Sequence, residues 1–390
     1  MIAIVGGGPA ALGAAIACQA HALVLERNPR PGTKLLLSGS GQCNFTNARP
    51  PEEFLNTLGA FRNWLKPAFY AFDNRAFINL LEDHGCPVFI RADKKAFPQS
   101  LKSADVLETL LRIAKSGGAE FMLNRAVQSI VREGDGFQLI TADGSAIHAH
   151  QVIIAAGGAS WPHTGSDGAS YRFAESLGHT ILKPRPALAS VEIRNYAPFS
   201  KCAGISLRAS LRLGKFKVEG DLLFTHKGFS GPLIIDNSWQ MEAGQRMQLG
   251  LADAARFTAL VVKQPRRRIS SLIHELGLPQ SLVQAMFEHL NIPGETTASQ
   301  LKREHRELIA SWLEGAEFSI LKVESLATAM SDYGGVELKE INSKTMQSRL
   351  FPGLFFAGES MAYSLPSGGF SIQMAFSTGY LAGKSAMNCI

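Results

Sequence analysis

Four apolar residues, Ile2-Ala-Ile-Val5, run straight into Gly6-Gly7-Gly8-Pro9, and a second apolar run, Ala22–Leu25, ends on Glu26. This opening constrains the fold more than any other stretch of the chain. A short buried strand, a glycine turn, a helix of small residues from Ala10 to about Ala20 and a second buried strand make a β-α-β unit. From Met1 to Leu25 there is no Asp, Glu, Lys or Arg, a composition shared with signal peptides and membrane spans. No basic region precedes the run, and the glycines interrupt it after four residues, so the stretch reads as part of a folded domain and not as a span.

The turn carries the spacing Gly6-x-Gly8-x-x-Ala11. Glycine at the first position makes the tight turn, and at the second it lets the backbone approach a pyrophosphate. A small third residue lets helix and strand pack, and the free N–H groups at the helix start bind the anion. Gly6, Gly8, Pro9, Ala10 and Ala11 are therefore the expected phosphate contacts. Glu26, with Arg27 beside it, stands at the end of the second strand, where an acidic residue accepts hydrogen bonds from an adenosine ribose.

The choice between FAD and NAD follows from the rest of the chain. No second G-x-G-x-x-G occurs downstream, as a separate NAD(P)H domain would require. Short β segments at 126–132, 136–141 and 145–149 form a meander in place of continued β-α-β winding, which favours the two-dinucleotide-binding, Rossmann-like α/β fold that holds FAD. Two more buried strands, 151–155 and 354–357, stop at glycines, so Ala155, Ala156 and Gly157, and Gly358 and Glu359, fall at the carboxyl ends of strands, where a parallel sheet puts its ligand. Glu359 is a candidate for the ribityl chain. A last helix starting near Gly369 would bring Gly369, Phe370 and Ser371 to the flavin ring, where its dipole favours the charge of reduced flavin by about 0.3–2 kcal/mol.

Composition and patterning set the domains. Charged residues are 18% and apolar ones 46% of 390 residues, an ordinary globular chain with a large interior. The net charge of +6 suits an anionic ligand. Residues 30–50 read as a long functional loop, with helices near 61–70, 74–84 and 103–117. The texture changes at Pro184-Arg-Pro186: strand-like alternation over 187–262 gives way to helical patterns at 266–276, 280–290 and 298–313. The late strand at 354–357 returns to the first domain. The expected division is 1–186 and 321–390 as one discontinuous FAD-binding domain, with 187–262 and 263–320 inserted. Five cysteines without C-x-x-C give neither a disulfide framework nor a metal site, and the chain reads as cytoplasmic.

Lys34-Leu-Leu-Leu-Ser-Gly-Ser-Gly-Gln-Cys-Asn-Phe-Thr-Asn47 resembles the signature loop of the bacterial BaiN/YhiN-like flavoproteins, also described as aminoacetone-oxidase-like FAD-binding enzymes. Ile154-Ala-Ala-Gly-Gly158, Leu223-Phe-Thr-His-Lys-Gly-Phe-Ser-Gly-Pro232, Gly334-Gly-Val, Glu340-Ile-Asn-Ser-Lys-Thr-Met346 and Gly353-Leu-Phe-Phe-Ala-Gly-Glu359 are similar to further blocks of that family, in family order. The resemblance implies a FAD-binding fold split by a flattened β-barrel and a small helical bundle. It also implies FAD contacts from Lys34, Ser38, Gly39, Gly41 and Asn44, and from the backbone of Val127. The chain departs from the family near its end, where an aspartate and a Gly-Gly-Tyr-Asn element give way to Tyr363-Ser-Leu-Pro-Ser-Gly-Gly-Phe370-Ser371.

Among single residues, His226 is the candidate proton carrier, since an imidazole titrates near neutrality; the alternative is a histidine that satisfies turn carbonyls. Cys43 reads as a small packing residue, Trp161 and His163 as pocket or packing residues, and Tyr363 as an acid or a flavin-stacking ring. Arg266-Arg-Arg268 with Lys302, Arg303 and Arg306 reads as a solvated helical face with no recognition motif for nucleic acid. The expected function is a FAD-dependent oxidoreductase that moves hydride through flavin N5 to or from a small organic substrate, with NADH or NADPH as a transient donor. A flavin-holding regulatory protein and a FAD-dependent RNA-modifying enzyme stay open as alternatives.

Overall fold

The computed structural model describes residues 1–388 and divides into two compact units, Met1–Pro186 with the chain from Leu326 onward, and Ala187–Ser325.

The first unit is built on a five-stranded sheet in the order Leu354–Phe356, Gln151–Ile154, β1 (Ile2–Val5), β2 (Ala22–Leu25), Glu120–Met122, in which every neighbouring pair is parallel. Val5 pairs with both Leu25 and Ile154, so the strands end together at one edge. The three central strands and Leu354–Phe356 are buried along their length, as their uninterrupted apolar sequences require when both faces of a parallel sheet are covered. One face is covered by α1 (Pro9–Cys18) crossing the last helix, Phe370–Met387. Both helices contribute small residues at the crossing. A Cβ on Gly13 would strike the Phe376 carbonyl, and one on Gly379 or Gly383 would strike the Ala10 or Ala14 carbonyl, so the two backbones touch. This explains why α1 is apolar all round. The meander forms as expected, from Val127–Glu133, Gly136–Thr141 and Ala146–Ala149.

Residues 30–50 are more ordered than a loop. They hold α2 (Thr33–Leu37), a 3-10 turn Ser38–Gly41 and a short strand Thr46–Asn47 that pairs with Lys95–Pro98. A five-residue helix and a two-residue strand are too short to leave a periodic signal.

The second unit is a closed barrel of six strands, in the order Val191–Ile193, Gly228–Ser230, Phe216–Phe224, Ser206–Leu213, Arg246–Gly250, Ala316–Val323, with the first and last paired. Phe224, Phe229, Leu211, Met247, Leu249 and Phe318 fill it. Four helices follow the fifth strand: Ala254–Lys263, Ile269–His274, Gln280–Leu290 and Arg303–Gly315. Two differences from the sequence expectation stand out. Ala254–Lys263, inside the stretch read as β, is a helix, started by Asp253 accepting from the Arg256 N–H at 3.0 Å. The strand that closes the barrel, Ala316–Val323, begins directly after the last of the four helices, with no turn residues to announce it beyond Gly315.

Candidate dinucleotide and redox site

The site lies at the carboxyl edge of the parallel sheet. From β1 the chain winds to β2 on one side, while Gln151–Ile154 pairs with β1 on the other. This reversal opens a crevice beyond the strand ends, the usual ligand position in such sheets. Gly6 closes the floor: its φ is +111°, and a Cβ there would lie 2.5 Å from the Ala155 carbonyl and 2.7 Å from Ala156. Gly8, the N-cap of α1 ahead of Pro9, points the other way, with nothing within 4 Å of a Cβ built on it. Ala10 and Ala11 are buried behind it. The turn is thus pressed against the sheet at position 6 and open at position 8, the shape a pyrophosphate needs.

Glu26 is buried at the end of β2. Its Oε1 accepts from the Asn28 N–H at 2.8 Å, and Oε2 lies against Gly7. Burial pushes its pKa up, against the pull of its hydrogen bonds and of Arg27. Arg27 itself turns outward to the Gly165 carbonyl and Asp167.

Lys34 on α2 and Glu359 after Leu354–Phe356 were separate candidates; the structure joins them. The Lys34 Nζ donates to Glu359 Oε2 and to Ser160 Oγ, both at 2.7 Å, and Ser331 Oγ donates to the other carboxylate oxygen at 2.7 Å. A third charged group, which the sequence reading did not single out, completes the cluster. Asp332 on the Ser331–Val336 strand accepts from the Ala159 N–H at 2.8 Å, lies 2.6 Å from the Tyr171 hydroxyl oxygen, and packs against Gly158. Burial and the nearby Glu359 raise its pKa.

The signature loop meets the last helix. Gly39 and Gly41 take φ of +57° and +85°, and Ser38 Oγ donates to the Leu35 carbonyl at 2.6 Å. The Asn44 amide donates to the Thr46 carbonyl and accepts the Gly369 N–H, both at 3.0 Å. Gly369, at φ +95°, is the N-cap of the last helix, followed by the buried Phe370 and the half-buried Ser371. Val127 begins the meander, half-buried, and Gly157 (φ +77°) and Gly358 (φ +66°) each follow a sheet strand as expected.

His226 is exposed, in the turn between Phe216–Phe224 and Gly228–Ser230 of the barrel unit. Cys43 is fully buried and its thiol is pushed up to about 12 by that burial, so it packs and does not react. Trp161 takes a left-handed φ of +57° and its ring faces His163 at 5.3 Å. Tyr363 is buried, and burial raises its phenol well above its ordinary value. One further arrangement imitates a catalytic triad. Ser348 Oγ lies 3.0 Å from His179 Nε2, and Nδ1 lies 2.9 Å from Glu340. The serine is buried and accepts the Leu350 and Phe351 N–H groups at 3.0 and 2.9 Å, which leaves no lone pair for attack. It is a staple for the 340–351 segment.

The family described as "HI0933-like protein Rossmann domain" matches residues 1–385. The chain is 28% identical over 388 residues to the ribosomal RNA dihydrouridine synthase of Escherichia coli K12, covering 97% of this chain and 95% of that one. It is 29% identical over 411 residues to the 3-dehydro-bile acid delta(4,6)-reductase of Clostridium scindens, covering 99% and 98%. In fold it is similar to a 3-ketosteroid delta1-dehydrogenase from Sterolibacterium denitrificans, with a TM-score of 0.54 at 13% identity and coverage of 100% and 99%. It is likewise similar to E. coli quinol fumarate reductase, with a TM-score of 0.54 at 16% identity, covering 99% of this chain and 69% of that one.

Proposed function

This chain belongs to the HI0933-like Rossmann-domain family, and from that premise we propose that it is a FAD-dependent oxidoreductase that reduces a carbon–carbon double bond conjugated to a carbonyl in a small organic substrate. The fit of the cofactor rests on one observation above the rest. Gly6 is sealed against Ala155 while Gly8, two residues on at the helix start, faces open space; a bound pyrophosphate would fill the gap that a side chain would block. Gly6, Gly8, Pro9, Ala10 and Ala11 would hold that group, Glu26 the adenosine ribose, and Lys34, Glu359 and the Gly369–Ser371 helix start the flavin half. Bound FAD supplies hydride transfer through N5.

The bond type comes from what the two curated relatives are named for. Making dihydrouridine saturates the uracil double bond beside a carbonyl, and a delta(4,6)-reductase of a 3-oxo bile acid acts on double bonds in conjugation with its ketone. In both cases one carbon receives hydride and the next receives a proton. We assign the proton to His226, an exposed imidazole; His226→Gln is expected to lower turnover about 100-fold with FAD affinity unchanged. NADH or NADPH is the proposed donor.

The test is an absorbance spectrum of the purified protein, then anaerobic titration with NADH and NADPH. Flavin bands that bleach with one donor and return on adding an enone support the reading. Failure of the apo protein to take up FAD overturns it, and FAD that no donor or enone turns over points to a structural flavin.

An RNA substrate is the second reading, and one observation favours it. Arg212 and Lys217 face each other in register across the Ser206–Leu213 and Phe216–Phe224 strands, with Lys215 in the turn between, all exposed and with no acidic partner among the described residues. Like charges directly opposite one another weaken a hairpin and suit a row of phosphates. Salt-dependent binding of ribosomal RNA fragments that Lys217→Glu weakens would favour this reading over a small molecule.

A further inference from the structure

The Lys34–Glu359 pair sits in a closed ring of hydrogen bonds whose proton count is informative. Going round it, Lys34 reaches Ser160 and Glu359, Ser331 reaches Glu359, and Ser160 Oγ lies 3.4 Å from Asp332 Oδ1. Tyr171 closes it: its hydroxyl lies 2.6 Å from Asp332 Oδ2 and 3.0 Å from the Glu359 backbone carbonyl. A phenol has one proton to donate. Both neighbours of this hydroxyl are oxygens, and a carbonyl only accepts. Both contacts are full, unshared hydrogen bonds only when the Asp332 carboxyl carries a proton, donates it to the Tyr171 oxygen, and leaves the phenolic proton for Glu359. With Asp332 ionised, the phenol turns to the carboxylate and the link to the Glu359 backbone is lost.

We propose that Asp332 is a positioning residue for the cofactor: its proton completes a relay through Tyr171 that fixes the Glu359 segment, and losing that proton loosens the segment and adds a negative charge beside a dianionic ligand. The proposal rests on the FAD reading above. Burial and the Glu359 carboxylate favour the protonated form of Asp332, while Lys34 and the hydrogen bonds from Tyr171 and the Ala159 N–H oppose it. Lys34 comes from α2, Tyr171 from the helix Ala169–Ser176, and Glu359 from the turn Gly358–Ser360, with Tyr363 buried beyond it. The strand Ile181–Ala187, paired with Ser331–Val336, brings Arg185 over the Tyr333 ring at 5.9 Å. Tyr333 points to the opposite side of the strand from Asp332 by the alternation of side chains, and Lys183, two residues before Arg185, shares that far side and is exposed. Asp332 itself is deeply buried next to a second carboxylate, and both effects disfavour its charge.

The test is the dissociation constant of FAD, from flavin fluorescence, across pH 5 to pH 8 in wild type, Asp332→Asn and Tyr171→Phe. Asparagine imitates the protonated acid in shape and charge. The wild type is expected to bind FAD about tenfold more weakly at the high end of this range. Asp332→Asn should stay flat near the low-pH value, and Tyr171→Phe should bind weakly at every pH because the link to Glu359 is gone. Thermal melts of the apo variants separate this from misfolding, and where Asp332→Asn does not fold, the Tyr171→Phe profile decides. A wild-type profile without a transition, or the same transition in Asp332→Asn, overturns the proposal while leaving FAD binding intact. A wild type that takes up no FAD at any pH overturns the cofactor reading, and this proposal with it.

Discussion

The barrel unit buries one polar side chain outside its aromatics, Ser238, whereas the sheet unit buries Glu26, Asp332, His179, Gln151, Gln373, Asn47 and Asn74. Both units follow the same packing physics. An unpaired buried polar group costs about 1–3 kcal/mol, so a fold pairs most such groups, and among these Asn47, Asn74 and Gln151 each keep one side-chain oxygen without a partner. In the barrel unit Phe229 meets Phe224 at 5.2 Å and Phe318 at 4.9 Å, both edge to face, and the ion pairs stay outside, as Arg246–Glu317 and Arg303–Glu307 do. In the sheet unit the buried carboxylates gather at the strand ends, where the glycine turns leave room. The contrast separates a region arranged for stability from one arranged for a ligand, and it predicts that the two respond differently to damage.

The largest effect should come from Gly6→Val. The new side chain would meet the Ala155 carbonyl in a backbone conformation that valine rarely adopts; loss of FAD uptake, read by absorbance after desalting, is the expected result. Retained uptake would mean that the crevice is not the cofactor site. Next is Phe229→Ala in the barrel, expected to lower stability by about 3–5 kcal/mol in urea unfolding while leaving the FAD dissociation constant within twofold. If affinity falls in step with stability, the contrast drawn above is broken.

The staple around His179 gives a smaller effect with a pH signature. Burial holds the His179 pKa below its ordinary 6.5, so the unfolded chain takes up a proton that the folded one resists. Stability is therefore full above pH 6.5 and is lost as the pH falls from there through the lowered folded value. His179→Gln should remove that slope and cost about 1–3 kcal/mol at pH 7.5, measured by unfolding at several pH values. Smallest of all, Arg303→Ala breaks an exposed pair four residues apart on a helix. It should change the melting free energy by less than about 0.5 kcal/mol.

What the chain reveals before folding depends on distance along it. The turn at Gly6–Ala11, the acid at Glu26 and the strand ends at Gly157 and Gly358 are legible because each is a local pattern with its own steric reason. Lys34 and Glu359 could be named singly, yet their pairing joins residues 325 apart, and no spacing rule connects them. Asp332 left only a faint signal, a lone acid ahead of Gly334-Gly335 in a buried stretch; its partner Tyr171 is 161 residues away. The barrel was legible as alternation over 187–262, but its closing strand, Ala316–Val323, follows the helices and reads as their tail until the pairing with Val191–Ile193 is known.

The crossing of α1 and the last helix has a consequence for how the protein is made. Cys18 on α1 meets the Gly383 carbonyl across 365 residues. At ~5–20 residues per second, a ribosome needs ~20–70 s to supply the partner after the first helix has emerged. For that interval the stretch from Met1 to Leu25, with no Asp, Glu, Lys or Arg side chain, waits without that cover. The barrel's strands and helices, Val191 to Val323, are complete well before the covering helix. Birth order thus leaves the segment with the most specific geometry the last to find its cover.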